Sequence, residues 1–196
     1  MASLVLSGDT SGSITVSAPA VAGSTTQTLV NVTGTLAPVV SGTAQTAPFS
    51  TNTRADFTGI PSWVKRVTVM LYGVGTSGTA ALQIQLSDSG LVSSGYIGYA
   101  VRFGVANTYT SAFSSAFVLS DAITNTDVFY GAYVLTLVDG NRWAISGGQT
   151  STRTTGTSSQ VNGVVPLSSA LTAVRVTTTN GTDTFDTGSI INIIYE

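Results

Sequence analysis

Bulky apolar residues alternate with polar ones along short stretches of this chain, with the two-residue period that is typical of β-strands. The alternation is clearest in Arg66–Gly73 and Ala81–Asp88, where valine, leucine or isoleucine occupies every second position. Further strands are predicted at Tyr96–Phe103, Phe113–Leu119, Val128–Val138, Arg142–Gly147, Val161–Leu167, Leu171–Thr178 and Ser189–Tyr195. About eight or nine short strands, with turn residues between them and no helical pattern, predict an all-β fold, a jelly-roll-like β-sandwich.

The C-terminal stretch carries the strongest local signals. Asn180–Gly181 lies between Leu171–Thr178 and Thr182–Phe185, and an Asn-Gly pair between strand-like runs predicts a β-hairpin. The last run, Ser189–Tyr195, holds four isoleucines around Asn192. So apolar a strand is expected to be covered on both faces, and the chain is expected to end inside a sheet. Asp139-Gly140 predicts a second hairpin. By contrast, the polar and threonine-rich residues 151–159 predict an edge strand or an exposed loop.

Residues 1–55 differ from residues 56–196, and we predict an extended N-terminal arm followed by the β-sandwich domain. No aromatic residue precedes Phe49, so the arm cannot bury enough apolar surface to offset the entropy lost on ordering. The favoured interpretation is that it is ordered by docking on neighbouring subunits or other proteins, and disorder is the alternative. Its alternating aliphatic residues are the candidate docking residues: Leu4, Leu6, Ile14, Val16, Leu29 and Val32. Leu4–Leu6 and Ile14–Val16 are expected to form a small hairpin.

Composition removes several functional classes. The chain has 42% hydrophobic and only 8% charged residues, with a net charge of −2 and no basic cluster, so we expect no nucleic-acid partner. No run of 18 apolar residues exists, and no membrane insertion is expected. The N-terminus lacks a basic region, and no secretory signal is predicted. The excess of apolar over charged residues favours surfaces buried against other copies or other proteins.

Cysteine and histidine are absent, which excludes disulfides, zinc–thiolate sites and histidine-dependent catalysis. Asp183 and Asp186 beside Asn180 could offer oxygen ligands to Ca²⁺, and the same holds for Asp121, Asn125 and Asp127. Turn carboxylates more often cap backbone N–H groups, so no metal, no cofactor and no catalytic residue is predicted. No carboxylate pair is singled out by its spacing for glycosidase chemistry. The scattered arginines Arg142, Arg153 and Arg175 are expected to pair with carboxylates or carbonyls.

An aromatic series is the best candidate for a ligand-binding face: Tyr96, Tyr99, Phe103, Tyr109, Phe113 and Phe117. Sugars stack on exposed rings, but rings of β-sandwiches more often lie in the core, and a core position is favoured for most of this series. Tyr96 and Tyr109 are nearest to turns, so these two are the predicted glycan or receptor contacts. Trp63 and Trp143 are expected in the core.

One run, Asp56-Phe57-Thr58-Gly59-Ile60-Pro61-Ser62-Trp63-Val64-Lys65-Arg66-Val67-Thr68-Val69, resembles a sequence of many bacteriophage structural proteins. The same family resemblance extends to Asp88-Ser89-Gly90, to Val174–Thr178 and to the segment from Asn180 to Ser189, and more loosely to Gly8–Gly23. The resemblance implies a non-enzymatic virion protein, commonly a homotrimer, made in the host cytoplasm and placed on the phage particle surface. Its partners would be other capsid or tail proteins, bound through the N-terminal arm.

Two roles remain open within this family. The protein could be a short tail or head fibre whose distal loops contact the host, or a capsid decoration (cement) protein whose arm connects neighbouring capsomers. A receptor- or glycan-binding tail protein is the alternative, with a host surface glycan as partner. A polysaccharide depolymerase is less favoured, because the carboxylates show no catalytic spacing.

Overall fold

The computed structural model describes residues 3–7, 13–17, 39–49, 52–104, 106–120, 123–152 and 157–196. The chain divides into two compact units, Met1–Leu36 and Ala37–Glu196. In chain order the strands are β1 (Ser3–Ser7), β2 (Ser13–Ser17), β3 (Val40–Ser41), β4 (Gln45–Thr46), β5 (Arg54–Thr58), β6 (Arg66–Val74), β7 (Leu82–Ser87), β8 (Ile97–Phe103), β9 (Thr108–Phe113), β10 (Phe117–Val118), β11 (Phe129–Asp139), β12 (Arg142–Ser151), β13 (Thr157–Pro166), β14 (Ala173–Thr178) and β15 (Ile190–Tyr195). No helix long and apolar enough to cross a membrane occurs among these residues.

The first unit contains an antiparallel pair, β1 with β2, in which Leu4 is opposite Val16 and Leu6 is opposite Ile14. This confirms the predicted small hairpin. Four of the predicted docking residues therefore lie on two paired strands. Leu29 and Val32 lie outside the described residues, and the docking role of all six stays a prediction.

The second unit is built from two antiparallel sheets. The larger has nine strands in the order β3-β15-β6-β11-β12-β13-β8-β9, with β4 also pairing with β15. The smaller has four strands in the order β10-β7-β14-β5. The alternating positions predicted to face inward do so: Val67 and Val69 on β6 and Leu82 and Ile84 on β7 are fully buried. These side chains meet in one hydrophobic core, and the predicted all-β sandwich is confirmed.

The domain begins earlier in the chain than predicted. The predicted boundary at Asp56 lies inside the second unit, which starts at Ala37. β3 and β4 pair with β15 at an edge of the nine-stranded sheet, and Ala47 and Phe49 join the core. Phe49 meets Phe185 edge to face at 5.0 Å. Residues 37–55 therefore belong to the sandwich because a few apolar side chains and backbone pairing anchor them to it.

The C-terminal strand lies inside the nine-stranded sheet, as predicted. β15 pairs with β6 along one edge and with β3 and β4 along the other. Ile191 and Ile193 are buried on the core side, whereas Ile190 and Ile194 on the opposite face are only half-buried. The strand was expected to be covered on both faces, but only its core-facing side is buried.

Two predictions were wrong. The predicted strand changes sheets midway, and the two arms of the predicted hairpin do not pair with each other. Predicted strand Phe113–Leu119 is broken: Phe113 ends β9 in the nine-stranded sheet, and Phe117 starts β10 in the four-stranded one. A bend between them lets both rings face the core, 5.8 Å apart and edge to face. Asn180–Gly181 does form a turn, with Gly181 at φ 69°, but β14 pairs with β5 and β7 rather than with Thr182–Phe185.

The described part of residues 151–159 does not form the predicted edge strand, and residues 153–156 lie outside the described residues. Ser151 ends β12 and Thr157 begins β13, and β13 lies between β12 and β8 in the interior of the sheet. The side chains of Ser151, Thr157 and Ser159 are buried. Inward-facing hydroxyls partner each other there, as in the 3.2 Å bond from Ser159 Oγ to Ser120 Oγ, so the usual apolar pattern of a buried strand is missing.

Candidate functional site

The nine-stranded sheet has one face on the core and one face away from it, and we call the second the outer sheet face. Strand alternation and register place the following residues on it: Thr68, Met70 and Tyr72 on β6, Tyr130, Ala132, Val134 and Thr136 on β11, Ala144, Ser146 and Thr150 on β12, Ser158, Gln160, Asn162 and Val164 on β13, Ile97, Tyr99, Val101 and Phe103 on β8, and Ile190, Asn192 and Ile194 on β15. Several large apolar members are exposed, with Ile97 at 68%, Tyr72 at 66% and Tyr99 at 60%.

Charge is confined to one end of this face among the strand residues that the structure describes. Arg66 begins β6 and Arg142 begins β12, and each is already paired: Arg66 with Glu196 at 3.1 Å and Arg142 with Asp139 at 3.1 Å. The expected carboxylate partner of Arg142 is thereby confirmed. The remaining polar members are neutral threonine, serine, asparagine and glutamine. The outer sheet face is therefore a nearly uncharged surface on which large exposed apolar side chains lie among neutral polar ones, and exposed apolar side chains grouped in this way mark interaction sites.

Tyr96 was predicted to be an exposed contact, and this is wrong, because its side chain is 2% exposed. The Tyr96 hydroxyl accepts a hydrogen bond from the Leu86 N–H (2.9 Å) and donates one to the Val92 carbonyl (3.2 Å). Its ring packs edge to face on Phe117 at 4.8 Å. Burial raises the pKa of Tyr96 to about 12. A tyrosine can occupy a core when its hydroxyl finds such partners, and Tyr96, Phe113 and Phe117 are the core part of the aromatic series.

Tyr109 is exposed, as predicted, at 42% on the edge strand β9. The Arg102 guanidinium carbon lies 4.3 Å from the centroid of its ring, a cation–π contact. Cross-strand register places Tyr109 opposite Arg102, on the face of the sheet opposite to Tyr99 and Phe103. The predicted pair Tyr96 and Tyr109 is therefore not brought together, and the exposed rings of the outer sheet face are Tyr72, Tyr99 and Phe103 instead.

The two tryptophans differ. Trp143 lies in the core, as predicted. Trp63 does not, since it is 40% exposed in the loop before β6, where its ring lies 6.0 Å from that of Tyr195. Phe57 and Ile60 from the same segment are buried, so they occupy the core positions and Trp63 covers the end of β15 from outside.

The four-stranded sheet carries a different kind of surface on its own outer face. Two cross-strand rows run over β7, β14 and β5, one made of Gln85, Arg175 and Asp56 and the other of Gln83, Thr177 and Arg54. All members of these rows except Asp56 line a polar cavity of about 200 Å³, together with Thr53 and residues 178–181. We call this cavity the arginine cleft.

Two guanidinium groups share one carboxylate in the arginine cleft. Arg175 donates from Nε to Asp56 Oδ1 at 2.6 Å and from Nη2 to Oδ2 at 3.1 Å, which confirms the expected carboxylate partner of Arg175. Arg54 donates from Nε to Asp56 Oδ2 at 2.9 Å. One positive charge is left over, and the other N–H groups of both arginines have no partner among the described residues. Sequence reasoning missed this cluster, since only strand alternation marks its members and their pairing is set by register.

Three of the candidate calcium ligands accept hydrogen bonds from backbone N–H groups. Asn180 Oδ1 accepts from the N–H groups of Thr182 and Asp183 at 3.0 and 3.1 Å, and Asp183 Oδ2 accepts from the Ala80 N–H at 3.0 Å. Asp127 accepts from Thr124 N–H at 2.7 Å, and Asp121 lies outside the described residues. Within the described ranges, no three His, Cys, Asp or Glu side chains come together as a group that could hold a metal ion.

Asp88 is a buried carboxylate that joins two loops. Its Oδ2 accepts from the Ser168 hydroxyl at 2.6 Å and the Ser168 N–H at 2.7 Å, and its Oδ1 accepts from the Ser89 N–H at 2.6 Å. The Ser168 hydroxyl, together with the backbone N–H groups of Ser168, Ser89 and Gly90, holds the pKa of Asp88 well below its usual range. Asp88 fixes the loop after β7 to the loop after β13.

Comparison with known proteins gave no match to any family model, any curated protein or any solved structure. The molecule's own surfaces are therefore what points to a function. The outer sheet face offers a broad, nearly uncharged contact area with large exposed apolar side chains, and the arginine cleft offers a small polar one with an excess positive charge.

Proposed function

We propose that this protein is a non-enzymatic structural protein of the bacteriophage particle surface, a homotrimeric tail or head fibre or a capsid decoration protein. The proposal combines the resemblance carried by residues 56–69 and 180–189 with the physical character of the outer sheet face. It assigns assembly, and not turnover of a substrate, as the task of the chain.

The outer sheet face is the observation that carries the proposal. An interface of ordinary size buries about 800 Å² on each partner, and burial of apolar area contributes roughly 25 cal/mol per Å². Burying a charge without a partner costs far more than this gain from a few side chains. A face with charge only at one end avoids that cost, so Tyr72, Ile97 and Tyr99 can be covered by another subunit at little electrostatic expense.

The N-terminal arm supplies a second contact in this proposal. The β1–β2 pair offers backbone donors and acceptors. The nine-stranded sheet of the second unit ends in β9 and in β3 with β4, and the four-stranded sheet ends in β5 and β10. An edge strand accepts an added strand through its unpaired backbone groups. We place the arm of one subunit on a neighbouring subunit or on another virion protein.

The experiment is sedimentation of the full chain and of single lysine variants. Val134→Lys and Tyr99→Lys put a charge into the outer sheet face, whereas Thr58→Lys puts the same charge at an exposed position of the four-stranded sheet. We expect the wild type and Thr58→Lys to sediment as trimers and the two outer-face variants to dissociate. A monomeric wild type, or three variants that behave alike, would overturn the proposed assembly.

A receptor- or glycan-binding role is the second candidate, and the exposed rings of Tyr99 and Phe103 favour it, because sugars stack on aromatic faces. It predicts that host surface glycan binds the wild type and binds Tyr99→Ala more weakly. Unshortened glycan after incubation would count against a depolymerase. Electron microscopy of the particle separates the virion roles, since regular density over the capsid lattice fits a decoration protein and excludes a fibre.

A further inference from the structure

We propose that the arginine cleft binds the carboxylate of a sugar acid, a ring-shaped polyol of about one monosaccharide unit. This site lies on the four-stranded sheet and does not depend on the proposed assembly role or on the outer sheet face.

The charge and geometry of the cleft select a planar anion. Arg54 and Arg175 contribute two positive charges against the single negative charge of Asp56, so a ligand with one carboxylate would complete the neutralisation. Guanidinium groups match carboxylates through paired, parallel N–H bonds. Arg54 uses only Nε toward Asp56 within the described structure, which leaves both of its terminal nitrogens to face such a ligand.

The remaining lining suits hydroxyl groups. Gln83 and Gln85 face the cavity from β7, and neither side-chain amide has a hydrogen-bond partner among the described residues. Each amide can donate and accept, as hydroxyl recognition requires. The lining includes no aromatic ring on which a neutral sugar could stack. A volume of about 200 Å³ is below the usual range of drug-sized pockets, so we infer a ligand of one ring.

The floor of the cleft and the Arg175 side chain are positioned in advance of binding. Its floor consists of three paired strands, and the two bonds from Arg175 to Asp56 fix both side chains. The Thr177 hydroxyl donates to the Thr53 carbonyl at 2.8 Å. This bond links the residue before β5 to β14, the central strand of the floor. Groups that are already positioned lose little entropy on binding.

The test is an NMR titration of the full chain with galacturonate, with galactose, acetate and inorganic phosphate as comparison ligands. We expect galacturonate to shift the amide signals of residues 53–56, 83–85 and 175–181. Acetate should shift the same signals at higher concentration, and galactose should not shift them. No shifts in these signals with galacturonate, or tighter binding of phosphate than of galacturonate, would overturn the assignment.

Three variants sharpen the test. Arg54→Gln removes the excess positive charge and Gln85→Glu adds a negative one, and each should weaken galacturonate binding about tenfold or more. Arg142→Gln removes an exposed ion-paired arginine from a distant hairpin and should bind like the wild type. Undiminished binding in Arg54→Gln and Gln85→Glu would contradict the site, even if both remained folded. Sedimentation of the same samples reports separately on assembly, so the two proposals can fail independently.

Discussion

Individual buried polar groups divide into those that stabilise this fold and those that do not. Asp88 belongs to the first kind, because hydroxyl and backbone donors from two loops converge on it. Gln149 belongs to the second kind. It is buried on β12, and neither its Nε2 nor its Oε1 has a hydrogen-bond partner within the described residues.

Asp88 should make stability depend on pH. Its pKa is lower in the folded protein than the value of about 3.9 expected in the unfolded chain. The ionised carboxylate therefore stabilises the fold fully above about pH 4, and this contribution is lost as the pH falls further toward the folded pKa. We expect Asp88→Asn to cost about 2 kcal/mol at neutral pH and the difference from wild type to shrink below about pH 4.

Urea unfolding of both proteins at a series of pH values would measure this difference. Asp139→Asn is the matched control, because its ion pair with Arg142 is exposed and should contribute little at any pH. A difference between wild type and Asp88→Asn that stayed constant down to about pH 2 would contradict the role assigned to the ionised carboxylate.

Gln149→Leu should leave stability unchanged or raise it by about 1 kcal/mol. Leucine is similar in size, and the change removes two buried polar atoms that have no hydrogen-bond partner among the described residues. Gln45→Leu is the control, since Gln45 Nε2 donates to the Asp56 carbonyl at 2.6 Å and its loss should destabilise. Thermal unfolding of the two variants compares them directly, and a Gln149→Leu protein less stable than Gln45→Leu would refute the expectation.

At the level of elements, β8 and β13 approach each other through a pair of glycines. Gly98 and Gly163 are register partners, and the Phe113 ring covers both. A Cβ at Gly98 would collide with the Asn162 carbonyl oxygen, the Gly163 Cα and the Phe113 ring. The absence of two side chains is what lets the end of the Phe113 ring approach the backbone of both strands, so close packing in the core requires these glycines.

Gly98→Ala should therefore destabilise the protein by about 2 kcal/mol or more, as overpacking of a core does. Gly90→Ala should change stability by less than about 0.5 kcal/mol, because nothing lies within 4 Å of the added Cβ and the glycine does not need a positive φ. Chemical unfolding of both variants measures the contrast. Equal losses of stability in the two variants would show that Gly98 is not in close contact with its neighbours.

Sequence patterns located most strands because apolar residues at every second position mark a face that must be buried. They failed where burial uses polar side chains. Residues 151–159 lack the apolar signal, since Ser151 and Ser159 bury hydroxyls that bond Asp127 and Ser120. Tyr96 was misplaced for a related reason, because partners from β7 and its following loop satisfy its hydroxyl inside the core.

The candidate sites were harder to predict than the strands. The composition, rich in apolar and poor in charged residues, indicated that an interaction surface exists. The extent of the outer sheet face depends on the order of nine strands. The arginine cleft had no local signal, since Asp56 and Arg175 are 119 positions apart and meet only through the register of β5 and β14. Register is a property of the folded sheet and cannot be taken from a single stretch of sequence.

At the level of the whole molecule, the two units predict where the chain can be shortened. A variant lacking residues 1–36 should keep the melting temperature of the sandwich, because the second unit begins at Ala37. A variant lacking residues 1–55 loses β3, β4, Ala47 and Phe49 and should melt at a clearly lower temperature or fail to fold. Calorimetry of the two variants tests this. Equal melting temperatures would show that the folded domain begins at Asp56.

The near absence of charge from the outer sheet face has a thermodynamic consequence. Contacts made through it contain few ions to be screened, so their strength should vary little with ionic strength. Apolar burial carries a negative heat-capacity change, and its driving force fades on cooling. Oligomers joined through this face should therefore stay assembled at high salt concentration and dissociate more readily at low temperature. An assembly held together by ion pairs should do the reverse.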